Sequence, residues 1–168
     1  MKYQVIVEHY EECFEKFGDT PRGVDWTKEE QVEFRYQTML ELVNFREKSF
    51  QVTKQVSLLD YGCGLSHLYE FIQKNNINNI EYTGLEISNK FFNESRQKFP
   101  TNNYILGDIL KDKNLLQNNY DYIVMNGVFT EKRNLSYNDM FEYFEQMICL
   151  IYRYCNKGIS FNLMSKQV

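Results

Sequence analysis

The sequence predicts a doubly wound α/β fold with a mostly parallel sheet, preceded by N-terminal helices. Three observations predict it. Five short apolar runs, at 56–60, 80–86, 103–106, 122–125 and 158–164, read as strands. Most of the connections between them read as helices, and parallel strands need crossovers of that length. The 168 residues suit one globular unit rather than several.

Each element has its own local reason. Residues 3–17 carry apolar positions at helical spacing, and 18–23 (GDTPRG) make the loop that stops them. Thr27 and Glu30 fit a capping box, opening a helix whose Val32, Tyr36, Met39, Leu40 and Val43 share one face. Val56 to Asp60 is a short buried strand, followed by a helix over 65–74. Ile80 to Glu86 is the second strand, and Ser88 caps a helix that Pro100 helps to end. Asn103 to Leu106 and Tyr122 to Met125 are the third and fourth strands. Ser136 opens a long helix carrying Met140, Phe141, Phe144, Ile148 and Ile151, and Gly158 to Met164 is the fifth strand. The expected organisation is a helical lead or lid over residues 1–50 and a ligand-binding domain over 51–168, forming a single globular unit.

Composition excludes several classes. The chain is 43% hydrophobic and 25% charged, too apolar for disorder and able to build its own core. It lacks alanine and has 17 asparagines, which reads as the codon usage of an AT-rich genome. Net charge is -4, from 19 basic and 23 acidic residues, which does not favour nucleic acid as partner. There is no apolar run of about 18 residues and no leader pattern at the N-terminus, so a cytoplasmic protein without membrane contact is expected. Cys13, Cys63, Cys149 and Cys155 show no C-x-x-C spacing, with only His9 and His67 to assist them, so reduced thiols and no metal site are expected.

In a doubly wound sheet the ligand lies off the carboxyl ends of the strands. The first strand ends in Asp60-Tyr61-Gly62-Cys63-Gly64-Leu65-Ser66. Gly62 and Gly64 permit a tight turn and close approach of a ligand to backbone. The third glycine of a dinucleotide fingerprint would fall on His67, and Asp60 would repel a pyrophosphate. Both features suit a cationic cofactor without phosphate.

Residues 58–64 (LLDYGCG) resemble the first motif of the class I S-adenosylmethionine-dependent methyltransferases, which have a Rossmann-like fold. The resemblance continues in order through Glu86, Gly107-Asp108-Ile109 and residues 120–127 (YDYIVMNG), and covers roughly 56–164. It implies that S-adenosylmethionine is the cofactor and S-adenosylhomocysteine the product. It implies a site made of Asp60, Gly62, Cys63, Gly64, Glu86, Ile87, Asp108, Ile109, Asn126 and Gly127. On this resemblance Asp60 meets the amino-acid moiety, Glu86 the ribose hydroxyls and Asp108 the adenine. Each position also has a plain reading. The glycines fit an ordinary strand-to-helix turn, Asp60 a helix-terminus carboxylate, Glu86 a solvated strand end and Asp108 a turn residue, while Asn126 could satisfy buried backbone. Residues 18–26 resemble the lead of a bacterial subgroup of the family linked to surface-polysaccharide or secondary-metabolite genes.

Arg35 shares the apolar side of its helix, so it either snorkels or holds the methionyl carboxylate as a forked donor. Trp26 reads as core or lid. His67 reads as packed or surface, His9 as a base only if the first helix covers the site, and residues 131–133 (EKR) as a charged loop. Methyl transfer needs alignment of nucleophile, methyl and sulfur, and a general base only for a poor nucleophile, so no catalytic base is named. Residues 126–129 (NGVF) lack the Asn/Asp-Pro-Pro-aromatic signature of base or glutamine methylation, which favours a small-molecule acceptor, sugar-linked or a secondary metabolite. The family's sheet usually ends in a two-strand hairpin, absent here. The chain therefore reads as truncated after the fifth strand, with a homodimer or partner chain expected to cover the edge. Two other readings stand beside methyl transfer: a cofactor-binding subunit that turns over only with a partner, and a nicotinamide-dependent oxidoreductase.

Overall fold

The computed structural model describes residues 2–26, 28, 31–47 and 55–164. Strands β1 (Val56–Tyr61), β2 (Ile80–Glu86), β3 (Asn103–Leu106), β4 (Tyr120–Phe129) and β5 (Cys155–Leu163) form one sheet in the order β3-β2-β1-β4-β5. All four pairings are parallel. The order reverses between β1 and β4, which opens a crevice at the carboxyl ends of those two strands.

Helices α1 (Gln4–Phe17), α2 (Val32–Glu47), α3 (His67–Lys74), α4 (Asn89–Lys98) and α5 (Tyr137–Ile151) complete the fold. Side chains alternate across a strand, so β1 and β4 feed two cores. Leu58, Tyr122 and Val124 pack with Tyr36, Met39, Leu40 and Val43 of α2 and Leu68 and Ile72 of α3. Leu59, Ile123 and Met125 pack with Met147, Leu150 and Ile151 of α5. Each such side chain taken from water contributes about 1.5–3 kcal/mol. The predicted apolar stripe of α2 is thus its core face. The capping pair Thr27 and Glu30 lies outside the described residues.

Two other caps are present as expected. The Ser88 hydroxyl accepts from the Phe91 amide, and Ser136 and Asp139 cap α5 reciprocally. Strand β4 runs four residues beyond the predicted Met125, through Asn126-Gly127. The sequence places that pair after the strand, in the fourth motif. In the fold Gly127 adopts φ +91° and donates its amide to the Asn162 side-chain oxygen on β5, so the strand continues through an irregularity. Strand β5 likewise begins three residues earlier than predicted, directly after a 3₁₀ turn at Tyr152–Tyr154.

Candidate functional site

The β1-to-α3 turn forms the floor of the crevice. Gly62 and Gly64 both have positive φ, at +70° and +53°, and a Cβ on Gly62 would stand 2.9 Å from Val128. Only glycine takes these values without strain. The Gly62 and Cys63 amides both donate to the Leu85 carbonyl, so the turn is tied to β2.

Three carboxylates converge beside this turn. Glu86, at the end of β2, is buried and accepts from the Gly64 amide (2.8 Å), the Ile87 amide (2.8 Å) and the Ser88 amide (2.9 Å). Burial pushes its carboxyl above the usual range, and the three amides work against that rise. A carboxylate has about four lone-pair sites, so one remains for a ligand. Asp60 is buried on β1, where one oxygen accepts from the Tyr82 hydroxyl at 2.8 Å. Burial pushes its carboxyl up to about 7, opposed by the Tyr82 hydrogen bond and assisted by the charge of Glu86. Asp108 follows β3. It accepts from the Leu110 amide on one oxygen and from the Tyr3 hydroxyl, at 2.6 Å, on the other.

Together these groups surround a cavity of about 140 Å³. Asp60, Gly62, Cys63, Gly64, Glu86, Ile87, Asp108, Asn126 and Gly127 all line it. Ile109 and Arg35 do not. Ile109 is fully buried within the α5-side core. Arg35 is half-buried with its guanidinium 5.2 Å from the Trp26 ring, a cation–π contact that holds it on the tryptophan. It is Trp26 that faces the cavity. Asn126 accepts from the Asn162 side chain, which ties the β4 end to β5.

The sequence suggests a helical lead or lid but not the residues that cover the cavity. Tyr3 at the N-cap of α1 and Ile6, Val7 and Tyr10 on the helix form one wall, and Tyr143 and Met147 of α5 another. Helix α1 bridges the crevice. Tyr3 bonds Asp108, the Tyr10 hydroxyl donates to the Gly127 carbonyl at 3.2 Å, and the Ser88 hydroxyl donates to Glu11 at 2.5 Å. Tyr3 also stacks on Tyr143, with ring centroids 4.6 Å apart. Burial and the Asp108 carboxylate both raise the Tyr3 phenol, so it stays a donor. The spacing of Tyr3, Ile6, Val7 and Tyr10 on one helix face was a signal for burial but not for what they bury against. His67 also lines the cavity, but its Nε2 is engaged by Asp19 at 2.6 Å. His9 lies outside the cavity and pairs with Asp25. Glu131 accepts from the Lys132 and Arg133 amides, so that loop is satisfied internally.

The Tyr3 hydroxyl takes one acceptor site on Asp108 Oδ2, for which a ligand amino group directed at that oxygen would compete. Tyr3→Phe should therefore tighten nucleoside binding by roughly fivefold, the equivalent of one hydrogen bond of about 1 kcal/mol. Calorimetry comparing the variant with the parent checks this, and weaker binding would mean that the hydroxyl supports the site instead of competing for it.

The strand order, the glycine turn at the switch point and the acid at the end of β2 define a Rossmann-type α/β protein. The chain belongs to the methyltransferase-domain family, whose model, described as "Methyltransferase domain", matches residues 59–148. That span takes in the last three predicted motifs and all but Leu58 of the first. No curated protein matches the chain. Among solved structures it is similar to magnesium protoporphyrin IX methyltransferase from Synechocystis PCC 6803 with bound SAM (TM-score 0.61, 15% identity, covering 93% of this chain and 73% of that one). It is also similar to CalS10, an amino pentose methyltransferase from Micromonospora echinaspora (TM-score 0.53, 16% identity, covering 82% and 57%). A third similarity is to the plantazolicin methyltransferase BpumL in complex with SAH (TM-score 0.54, 21% identity, covering 92% and 57%). The chain thus spans a little over half the length of the last two. At these identities the likeness is one of fold. Among the described residues no helix is long and apolar enough to cross a membrane.

Proposed function

We propose that the chain binds S-adenosylmethionine across the carboxyl ends of β1 to β4 and transfers its methyl group to a small-molecule acceptor. The observation that carries this reading is the charge of the cavity wall. Its described lining residues include Asp60, Glu86 and Asp108 and no lysine or arginine, and Lys111 beside it stands outside the lining with its ammonium 3.6 Å from Asp108. Such a wall suits a cationic nucleoside and opposes a pyrophosphate. Glu86 offers its remaining lone pair to the ribose, Asp108 accepts from the adenine amino group, and Asp60 faces the ammonium of the amino-acid end. Ile87 packs beside the nucleoside. The Gly62 to Gly64 turn lets the ligand approach the backbone. Ile109 supports Asp108 from the core, and Arg35 acts through Trp26 and not by direct contact. When bound, the cofactor supplies a methyl group activated by its sulfonium. The protein's task is then alignment and exclusion of water, for which Tyr10, Trp26 and Tyr143 are placed.

Calorimetry with S-adenosylhomocysteine and NAD tests the reading, with binding of the first and none of the second expected. The affinity should also depend on pH in one direction. Asp60 is pushed up to about 7 from 3.8, so its contribution to stability is full below the lower value and lost as pH rises through the higher. A ligand ammonium favours the ionised form, so affinity should rise by up to about tenfold from pH 6 to 8, and Asp60→Asn should flatten the profile. Binding of NAD, or an affinity that falls over that range, would overturn the proposal.

A second reading is favoured by the sheet edge. Among the described residues strand β5 pairs on one side only, and Phe161 and Leu163 on it are exposed. A chain of this kind could bind the cofactor and turn over only when a partner or a second copy covers β5. Methyl-transfer assays alone and with candidate partners separate the two readings.

A further inference from the structure

Away from the cavity, His9 and Cys13 stand one turn apart on α1, and Asp25 faces them from the end of the 3₁₀ turn Pro21–Val24. The donor atoms of the three residues all lie within 4.8 Å of one another. Asp25 Oδ2 is 2.8 Å from His9 Nε2, and Cys13 Sγ is 3.7 Å from the same nitrogen. In a nucleophilic triad the acid and the nucleophile engage opposite ring nitrogens. Here both approach Nε2, which has room for one proton and cannot serve both.

We propose that His9, Cys13 and Asp25 form a site for a borderline-soft divalent cation, zinc in the first place. With Zn–N and Zn–O of about 2.0–2.2 Å and Zn–S of about 2.3 Å, a tetrahedral ion needs its donors roughly 3.3–3.6 Å apart. The sulfur–nitrogen separation already fits, and the nitrogen–oxygen pair must open by about half an ångström. One imidazole, one thiolate and one carboxylate form the mixed donor set that favours zinc over magnesium or calcium. Three protein ligands leave a fourth position for water. A surface hollow alongside, lined by His9, Glu8, Glu12, Glu131, Arg133 and Asn134, sets three carboxylates against one guanidinium on the ion's approach and gives that water space. On binding, the Cys13 proton passes to solvent and the thiolate takes its place on the metal.

The site lies outside the cleft and does not depend on methyl transfer. Its consequence does reach the cleft, because Asp25 precedes Trp26 and His9 precedes Tyr10, and both aromatic residues line the cavity. A bound ion would staple α1 to the 3₁₀ turn and fix two walls of the cofactor site. The expectation of no metal is revised here because His9 and Cys13 at helical spacing gain their third ligand only through the fold.

Cobalt(II) titration of the reduced protein tests the proposal. One equivalent should give a thiolate-to-cobalt charge-transfer band and intense tetrahedral d–d bands, both abolished by zinc. Cys13→Ser should remove the charge-transfer band, and His9→Ala and Asp25→Asn should each weaken cobalt binding. Cys149→Ser, which alters an exposed cysteine, should change nothing. Zinc should also raise the thermal midpoint of the parent but not of His9→Ala. Absence of both bands, or bands that survive Cys13→Ser and vanish in Cys149→Ser, would overturn the assignment.

Discussion

Glu86→Ala weakens S-adenosylhomocysteine binding by about 1–3 kcal/mol, the worth of charge-assisted hydrogen bonds to the ribose, and destabilises the free protein as well. The second effect follows from the three amides that the carboxylate holds. Without it the Gly64, Ile87 and Ser88 donors are left unpaired in a buried region. Each unpaired buried group costs about 1–3 kcal/mol, and water entering the cavity recovers part of that, so a net loss of roughly 2–4 kcal/mol is expected. Glu86→Gln keeps the shape but replaces one acceptor by a donor that faces amides, so it should recover little of the loss. Calorimetry gives the first quantity and urea unfolding the second. Unchanged ligand affinity in a folded Glu86→Ala protein would remove Glu86 from the binding site and leave it as a turn-holding residue.

Gly23→Ala is the second large effect, and it acts through backbone packing. A Cβ on Gly23 would lie 1.9 Å from the Gly18 carbonyl oxygen and 3.1 Å from its carbon. Both are backbone atoms at the end of α1, so no side chain can rotate away. The 3₁₀ turn must move by about an ångström, taking Asp25 and Trp26 with it. Overpacking of this kind costs about 1–3 kcal/mol or more, which for a chain of this size lowers the thermal midpoint by roughly 5–10 °C. Nucleoside affinity should fall with it, because Val24 and Trp26 line the cavity. Gly18→Ala separates clash from strain. Gly18 has φ +65° and ψ -157°, a region essentially reserved for glycine, but nothing within 4 Å of an added Cβ, so it loses about 1–3 kcal/mol to backbone strain alone. An unchanged midpoint for Gly23→Ala would mean that the turn yields more easily than its packing indicates. Calorimetric melting of the two variants decides this.

The two substitutions mark where reading the chain succeeds and where it stops. Glu86 stands out in the sequence because an acid at the end of a second strand has a known place in the sheet. Two of its three amide contacts are as local, since Ile87 and Ser88 are its neighbours, while the third comes from Gly64, 22 positions away. Gly23 does not stand out. It reads as one of several loop residues until the loop is seen folded against the end of α1. Asn126-Gly127 errs in the opposite sense. The predicted strand stops before the pair at Met125, yet the Asn162 side chain supplies a hydrogen bond as β4 continues through it.

Periodicity and turn chemistry act over a few residues, so the sequence by itself determined the alternation of strands and helices, the core face of α2, the caps at Ser88 and Ser136 and the acids at the strand ends. Other features depended on tertiary structure. Tyr3 meets Asp108 across 105 positions, and Asp19 meets Lys98 across 79. Arg35 settles on Trp26, and Asp25 meets His9 and Cys13. Each of these contacts requires segments that are independent in the chain to be brought together by burial of their apolar faces, and that collapse decides which polar groups must share an acceptor.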